Sequence, residues 1–168
     1  MIQNLQGRAW RLGDDIDTDV IYPGRYLPLL DPAEMAAHAL EGIDAEFPGK
    51  LRPGDILAAG KNFGCGSSRE QAATCLKSAG VSCVIARSFS RIFFRNAVNL
   101  GLPLIECGEA ADAVKTGDTV TVDFRSGTIR VGERSFSFPP LPETVLSILE
   151  EGGLINSIKK RIAAGEKP

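Results

Sequence analysis

Residues 81–87, "VSCVIAR", form a near-continuous apolar run with no alternation of polar and apolar positions. A strand of this kind has no face for water. It must be covered on both sides, as in a parallel sheet between packed layers. Two similar short runs flank it, "GDILAAG" at 54–60 and "LPLIEC" at 102–107. The segments between them read as helices. "SSREQAATCLKSAG" opens with Ser67 three residues before Glu70, the capping-box spacing, and stops at Gly80. "SRIFFRNAVNLG" spaces Phe93, Ala97 and Leu100 on one helical face and closes at Gly101. Strand and helix in alternation imply an α/β fold.

The rest of the chain extends this core. "GRAWRL" reads as a first strand, followed by the acidic loop "GDDIDTD" and the turn "YPGRY". "DPAEMAAHALEG" reads as a helix, with Asp31 as cap, Pro32 in the first turn and Gly42 after the end. Beyond Gly117, "TVTVDF", "TIRV" and "SFSF" alternate and are joined by "RSG" and "GER", an antiparallel meander. "PETVLSILEEGG" and "LINSIKKRIAAG" are helical. The expected architecture is a single domain over residues 1–168, a mixed sheet with flanking helices and a helical tail from about 142 to 168. The meander argues against a pure doubly wound sheet.

Composition narrows the function. A formal charge of −2 gives no basic surface for nucleic acid or anionic membranes. The N-terminus lacks signal-peptide features, and no apolar run approaches the ~18–20 residues that span a bilayer, so a soluble, cytoplasmic protein is expected. The four cysteines, Cys65, Cys75, Cys83 and Cys107, show no paired C-x-x-C spacing, so a zinc or iron–sulfur site made by this chain alone is not expected. Cys75, Cys83 and Cys107 read as small buried residues, and only Cys65 lies in a loop suited to more.

That loop is "GKNFGCGSSRE", residues 60–70. It lacks the third glycine of a dinucleotide fingerprint, since Arg69 stands there, and the Gly-Lys-Ser/Thr end of a phosphate loop. A strand feeding glycines and then a helix start still offers backbone N–H groups to a small anion. Arg69 adds a planar fork matched to a carboxylate. Local chemistry leaves two readings standing: Ser67 as a plain cap beside a surface arginine, or a carboxylate pocket with two hydroxyls at its mouth.

In "DDIDTD", Asp15, Asp17 and Asp19 alternate like the start of a calcium loop, but Val20 and Tyr26 occupy the expected glycine and glutamate positions. Asp15 and Asp17 read equally well as parts of a solvated turn. His38, the lone histidine, sits mid-helix and reads as a packed or surface residue. Arg91 and Arg95 share a helix face suited to a subunit interface.

"GKNFGCGSSREQAA", "GDDIDTDVIYPGRYL" and "VIARSFSRIFFRNAVNLGLPLI" together resemble the small subunits of the 3-isopropylmalate dehydratase family, in the aconitase superfamily. The resemblance runs from about residue 7 to residue 125. It implies the swivelling β/β/α domain and a large-subunit partner that carries a [4Fe–4S] cluster, in a heterodimer or a dimer of heterodimers, with no cofactor held by this chain. The implied reaction moves a hydroxyl to the adjacent carbon of a hydroxy diacid, 2-isopropylmalate in leucine biosynthesis. Citramalate, dimethylmalate and homoaconitate are the alternative substrates.

The resemblance also implies residue roles. Ser67 matches the base, Ser68 a substrate hydrogen-bonding residue and Arg69 a carboxylate clamp, with Gly66 beside them. Thr18 and Asp19 match a Thr-Asp pair at the edge of the site. Leu27, Pro28, Leu29 and Leu30 match the loop that selects the substrate's side group. Apolar residues there favour an alkyl group over an unpaired carboxylate, unless Arg25 turns inward. Two other classes of function compete with this one: a stand-alone thiol enzyme using Cys65, and a noncatalytic carboxylate-binding module.

Overall fold

A computed structural model describes residues 4–167. Among them, seven strands join in one sheet of order β4-β3-β2-β1-β5-β6-β7. Strands β1 (Leu5–Arg11), β2 (Ile56–Ala59), β3 (Cys83–Ala86) and β4 (Leu104–Glu106) are mutually parallel. Strands β5 (Thr119–Asp123), β6 (Thr128–Val131) and β7 (Arg134–Ser137) continue antiparallel from β1. The sheet is therefore mixed, with the meander appended to the parallel half as its alternating sequence requires.

Each parallel pair needs a crossover. Between β1 and β2 run the short helices α1 (Thr18–Ile21), α2 (Pro32–Ala36) and α3 (Phe47–Lys50), with a 3-10 turn at Gly24–Tyr26. Helix α4 (Glu70–Ser78) links β2 to β3, and α5 (Arg91–Asn99) links β3 to β4. A further helix, α6 (Gly108–Ala113), precedes β5, and α7 (Glu143–Glu150) and α8 (Leu154–Ala163) close the chain.

The two-faced burial inferred for β3 is realised residue by residue. Val84 and Ala86 join Leu57, Ala59 and Leu104 beneath α2, α4 and α5. Cys83 and Ile85 join Ile56, Ala58 and Ile105 on the other face, packed against α6 and the inner residues of the meander, Val120, Val122, Ile129 and Phe136.

Two local expectations are corrected. The capping box does not form: α4 begins at Glu70, Arg69 is its N-cap with extended backbone, and no side chain caps it among the described residues. Ser67 is held back in the preceding loop by a contact to Thr18, so the chain turns helical too late for its hydroxyl to reach the first turn. The helix at 31–42 is also shorter than its sequence suggests. Asp31 caps it by accepting from the Ala33 N–H, but regular helix ends at Ala36. The chain then proceeds in turns, because the Leu40 and Gly42 N–H groups donate to the Ile21 and Val20 carbonyls.

Candidate active site

Both signature loops leave the carboxyl ends of adjacent parallel strands, β1 at Arg11 and β2 at Ala59, with Arg11 paired to Ala58. Ligands of open α/β sheets bind at that edge.

The acidic loop and the glycine loop are stitched together by backbone and carboxylate bonds. The Asp15 N–H donates to the Lys61 carbonyl, Gly64 to Ile16 and Thr18 to Cys65, all within 2.9 Å. Asp14 accepts from the Lys61 N–H and Asp15 from the Asn62 side-chain amide. Asp17 caps α1 by accepting from Val20 N–H at 2.8 Å. These three aspartates therefore serve as loop ties, and the solvated-turn reading fits Asp15 and Asp17. Gly64 holds the junction tight. Its φ is +81°, and a Cβ there would stand 2.2 Å from Cγ of Phe93. Gly66, at φ +95°, turns the chain out toward Ser67.

Two cross-loop contacts then define the site. Thr18, only 3% exposed, donates from Oγ1 to the Ser67 carbonyl at 2.9 Å, and its oxygen lies 3.4 Å from Ser67 Oγ. Arg69 donates from Nη1 to Asp19 Oδ1 at 2.6 Å and to the Tyr22 carbonyl at 3.2 Å. Both bonds use Nη1, and the Arg69 side chain is 21% exposed. Asp19 also accepts from the Gly24 N–H at 2.9 Å. The Arg69 bond first, and the Gly24 bond second, hold its carboxyl below the usual aspartate range.

Thr18, Asp19, Gly66, Ser67 and Arg69 thus lie together, with Ser67 and Ser68 exposed on an open surface. Residues 27–30 follow the 3-10 turn whose Gly24 bonds Asp19. Leu29 packs on the core, Leu27 is 38% exposed and Leu30 is 88% exposed, so the four do not present one continuous apolar face. Arg25 turns to Glu41 at 2.7 Å. The Tyr22 carbonyl and Gly24 N–H, which hold Arg69 and Asp19, are backbone contacts that side-chain chemistry cannot signal. Glu41, at the end of the expected helix, carried no such signal either.

Cys65 lacks the electrostatics of a nucleophile. Burial pushes its thiol pKa up, and Asp17 and Asp15 push it further. Burial drives Cys75 and Cys83 well above the ordinary thiol range. Among the described residues, no group of three His, Cys, Asp or Glu side chains is placed to hold a metal ion. No helix there is long and apolar enough to cross a membrane.

Residues 16–109 match the family model described as "Aconitase C-terminal domain". The mixed sheet, with its Gly-Ser-Ser-Arg loop at the parallel edge, is a domain of that aconitase class. The chain is 55% identical over 159 residues to the 3-isopropylmalate dehydratase small subunit 1 of Methanopyrus kandleri, covering 93% of each. It is 49% identical over 165 residues to the isopropylmalate/citramalate isomerase small subunit of Methanocaldococcus jannaschii, covering 96% of this chain and 98% of that one. A crystal structure of 3-isopropylmalate dehydratase from Methanocaldococcus jannaschii superposes with a TM-score of 0.92 at 44% identity, covering 97% of this chain and 98% of that one. The chain belongs to the family of 3-isopropylmalate dehydratase small subunits.

Proposed function

We propose that this chain supplies one half of a hydro-lyase active site that interconverts 2- and 3-isopropylmalate, and that a large subunit supplies the other. The observation that carries this reading is the Asp19–Arg69 pair beside the exposed Ser67 and Ser68: a guanidinium fixed through Nη1 by an aspartate and a carbonyl. Arg69 grips a carboxylate of the diacid through its remaining N–H groups. Ser68 hydrogen-bonds to the substrate, and Gly66 lets it approach the backbone.

Ser67 takes the proton from the carbon beside a carboxylate as the hydroxyl leaves the neighbouring carbon, giving an alkene and water. Return of water with the opposite placement completes the isomerisation. A serine is a base only as its alkoxide. The positive end of α4 and the Arg69 charge favour that form without Ser67 serving as a cap. Thr18 positions Ser67, and Asp19 positions Arg69. Leu27, Pro28, Leu29 and Leu30 form the wall beside the substrate's alkyl group.

The thiols of this chain do not fit an iron–sulfur cluster, since Cys75, Cys83 and Cys107 are buried on separate elements. In this reading the large subunit carries a [4Fe–4S] cluster, which when bound supplies a Lewis acid for the departing hydroxyl. Arg91 and Arg95, beside Phe89 and Phe94 on an exposed groove, are a candidate face for that subunit. The complex contains one copy or two of each chain. A cytoplasmic setting and a role in leucine biosynthesis belong to the same reading, and four free thiols suit a reducing compartment.

Citramalate is the second candidate substrate, because one relative is named an isopropylmalate/citramalate isomerase small subunit. Its methyl group is also apolar. The raised Cys65 pKa speaks against the stand-alone thiol enzyme.

Reconstitution with a cluster-bearing large subunit, assayed on 2-isopropylmalate and citramalate, tests the proposal. The isolated chain is expected to be inactive and the complex active. Ser67→Ala is expected to lower turnover by about 10²–10⁴. Turnover by the chain alone, or full turnover by Ser67→Ala, overturns the reading. Calorimetric binding of diacids without turnover in the complex supports a carboxylate-binding module instead.

A further inference from the structure

Beside the loop at 24–30 lies a polar cluster that the proposed chemistry leaves without a task. The Glu41 side chain, 13% exposed, collects three short bonds. Tyr26 donates from its hydroxyl to Oε1 at 2.6 Å, Arg25 donates from Nη2 to the same oxygen at 2.7 Å, and His38 Nδ1 lies 2.6 Å from Oε2. The rings reinforce this arrangement: Tyr26 stacks on His38 with centroids 3.6 Å apart, and the Arg25 guanidinium lies 4.7 Å over Tyr26. The Tyr22 hydroxyl then fixes the backbone by donating to the Tyr26 carbonyl at 2.6 Å.

The cluster does two things at once. It locks the 3-10 turn Gly24–Tyr26, which leads directly into Leu27–Leu30. It also ties the Arg25 side chain to the Glu41 carboxylate. Arg25 is close enough in the chain to matter at Leu27–Leu30. It belongs to the 3-10 turn Gly24–Tyr26. Gly24, its chain neighbour, bonds Asp19 directly. An unclaimed cation at this position would offer a partner to a carboxylate on the substrate's side group, the feature that an apolar wall is built to reject.

We propose that Glu41 is a specificity-determining positioning residue: by sequestering Arg25 and bracing Tyr26, it keeps the side-group subsite free of positive charge and selects alkyl-substituted hydroxy diacids. The assignment rests on the reading of residues 27–30 as the side-group wall. Glu41 touches no reacting atom and acts through Arg25 and Tyr26.

The test uses the reconstituted two-subunit enzyme and three substrates: 2-isopropylmalate, citramalate, and citrate, whose carboxymethyl group stands where 2-isopropylmalate has isopropyl. Glu41→Gln keeps the size of the side chain and one acceptor oxygen but removes the charge that retains Arg25. The ratio of kcat/KM for citrate to that for 2-isopropylmalate is expected to rise about tenfold or more, mainly through KM. Adding Arg25→Gln to that variant is expected to reverse the gain. Glu41→Asp, which keeps the charge but shortens its reach, gives a smaller rise and serves if Glu41→Gln does not fold.

An unchanged ratio in the folded Glu41 variants, or a gain that survives removal of Arg25, overturns the proposal. Leu27→Ala separates it from the reading beneath. This variant is expected to lower 2-isopropylmalate relative to citramalate by about tenfold. If that preference does not move, the wall reading fails and takes the Glu41 assignment with it. If it moves while the citrate ratio stays fixed, only the Glu41 assignment fails.

Discussion

The Thr18 hydroxyl donates a 2.9 Å hydrogen bond to the Ser67 carbonyl and thereby joins two loops 49 positions apart in sequence. Thr18→Val keeps the shape and removes the donor. Loss of that bond is expected to cost about 1 kcal/mol of stability. The larger effect is on catalysis, because a displacement of about 1 Å at Ser67 is worth roughly 100-fold in kcat. Denaturant unfolding and turnover by the reconstituted complex, measured on one preparation, separate the two. A variant with normal kcat removes Thr18 from the positioning role.

Arg69→Lys replaces a planar fork with a point charge that cannot answer Asp19, the Tyr22 carbonyl and a substrate carboxylate together. KM for 2-isopropylmalate is expected to rise about tenfold or more, because charge-assisted bidentate bonds are the stronger kind. The Asp19–Arg69 pair also sets a pH expectation. The folded carboxyl pKa lies below 3.8, so the pair is complete above that value and is lost only as pH falls through the lower folded pKa. Between about pH 5 and 8 this pair adds no pH dependence to KM. Asp19→Asn is expected to raise KM across that whole range, and steady-state kinetics as a function of pH check it.

Gly64→Ala is expected to damage the fold as well as the site. A Cβ at this position meets Phe93 Cγ at 2.2 Å, on a residue whose φ is +81°. Overpacking and left-handed backbone strain together put the cost at about 3 kcal/mol or more. Thermal unfolding of the isolated chain measures this directly, without the large subunit.

At the opposite end of the sheet, Asp55 predicts the acid sensitivity of the fold. Its carboxylate, in a residue 3% exposed, accepts from Arg8, Trp10 Nε1 and the Arg52 N–H. Burial pushes its pKa up, but the bonds from Arg8, Trp10 and Arg52 outweigh that and leave it below 3.8. The stabilisation is therefore complete above pH 3.8 and disappears as pH falls through the lower folded pKa. Asp55→Asn is expected to lose about 2–3 kcal/mol near neutral pH, with the gap to the parent closing as pH falls through the lowered folded pKa. Urea unfolding at two pH values tests both halves of the expectation.

The features legible in the sequence were those whose causes are local. The unbroken apolar run at β3 required cover on both faces, and the strict alternation from 119 to 137 required a meander. The terminal helices show their period within a few turns. What the sequence hid was decided by distant partners. Ser67 has the spacing of a cap, yet a threonine in another loop holds it away from the helix. The helix after Asp31 stops early because the Leu40 and Gly42 N–H groups find carbonyls at Ile21 and Val20. α6 lies in "GEAADA", where small residues leave no period to read. The candidate site residues were proposed only through their resemblance to a family. Nothing in the local pattern says that Arg69 meets Asp19, or that Glu41 collects Tyr26, His38 and Arg25.

Asp19 gives the guanidinium of Arg69 a resident companion before any diacid arrives. If Arg69 is the clamp proposed above, the receptor is already shaped when empty, and little ordering is left for the moment of capture. The same tethered acid would then soften the cation that a visitor meets, moderating the grip and letting the product depart.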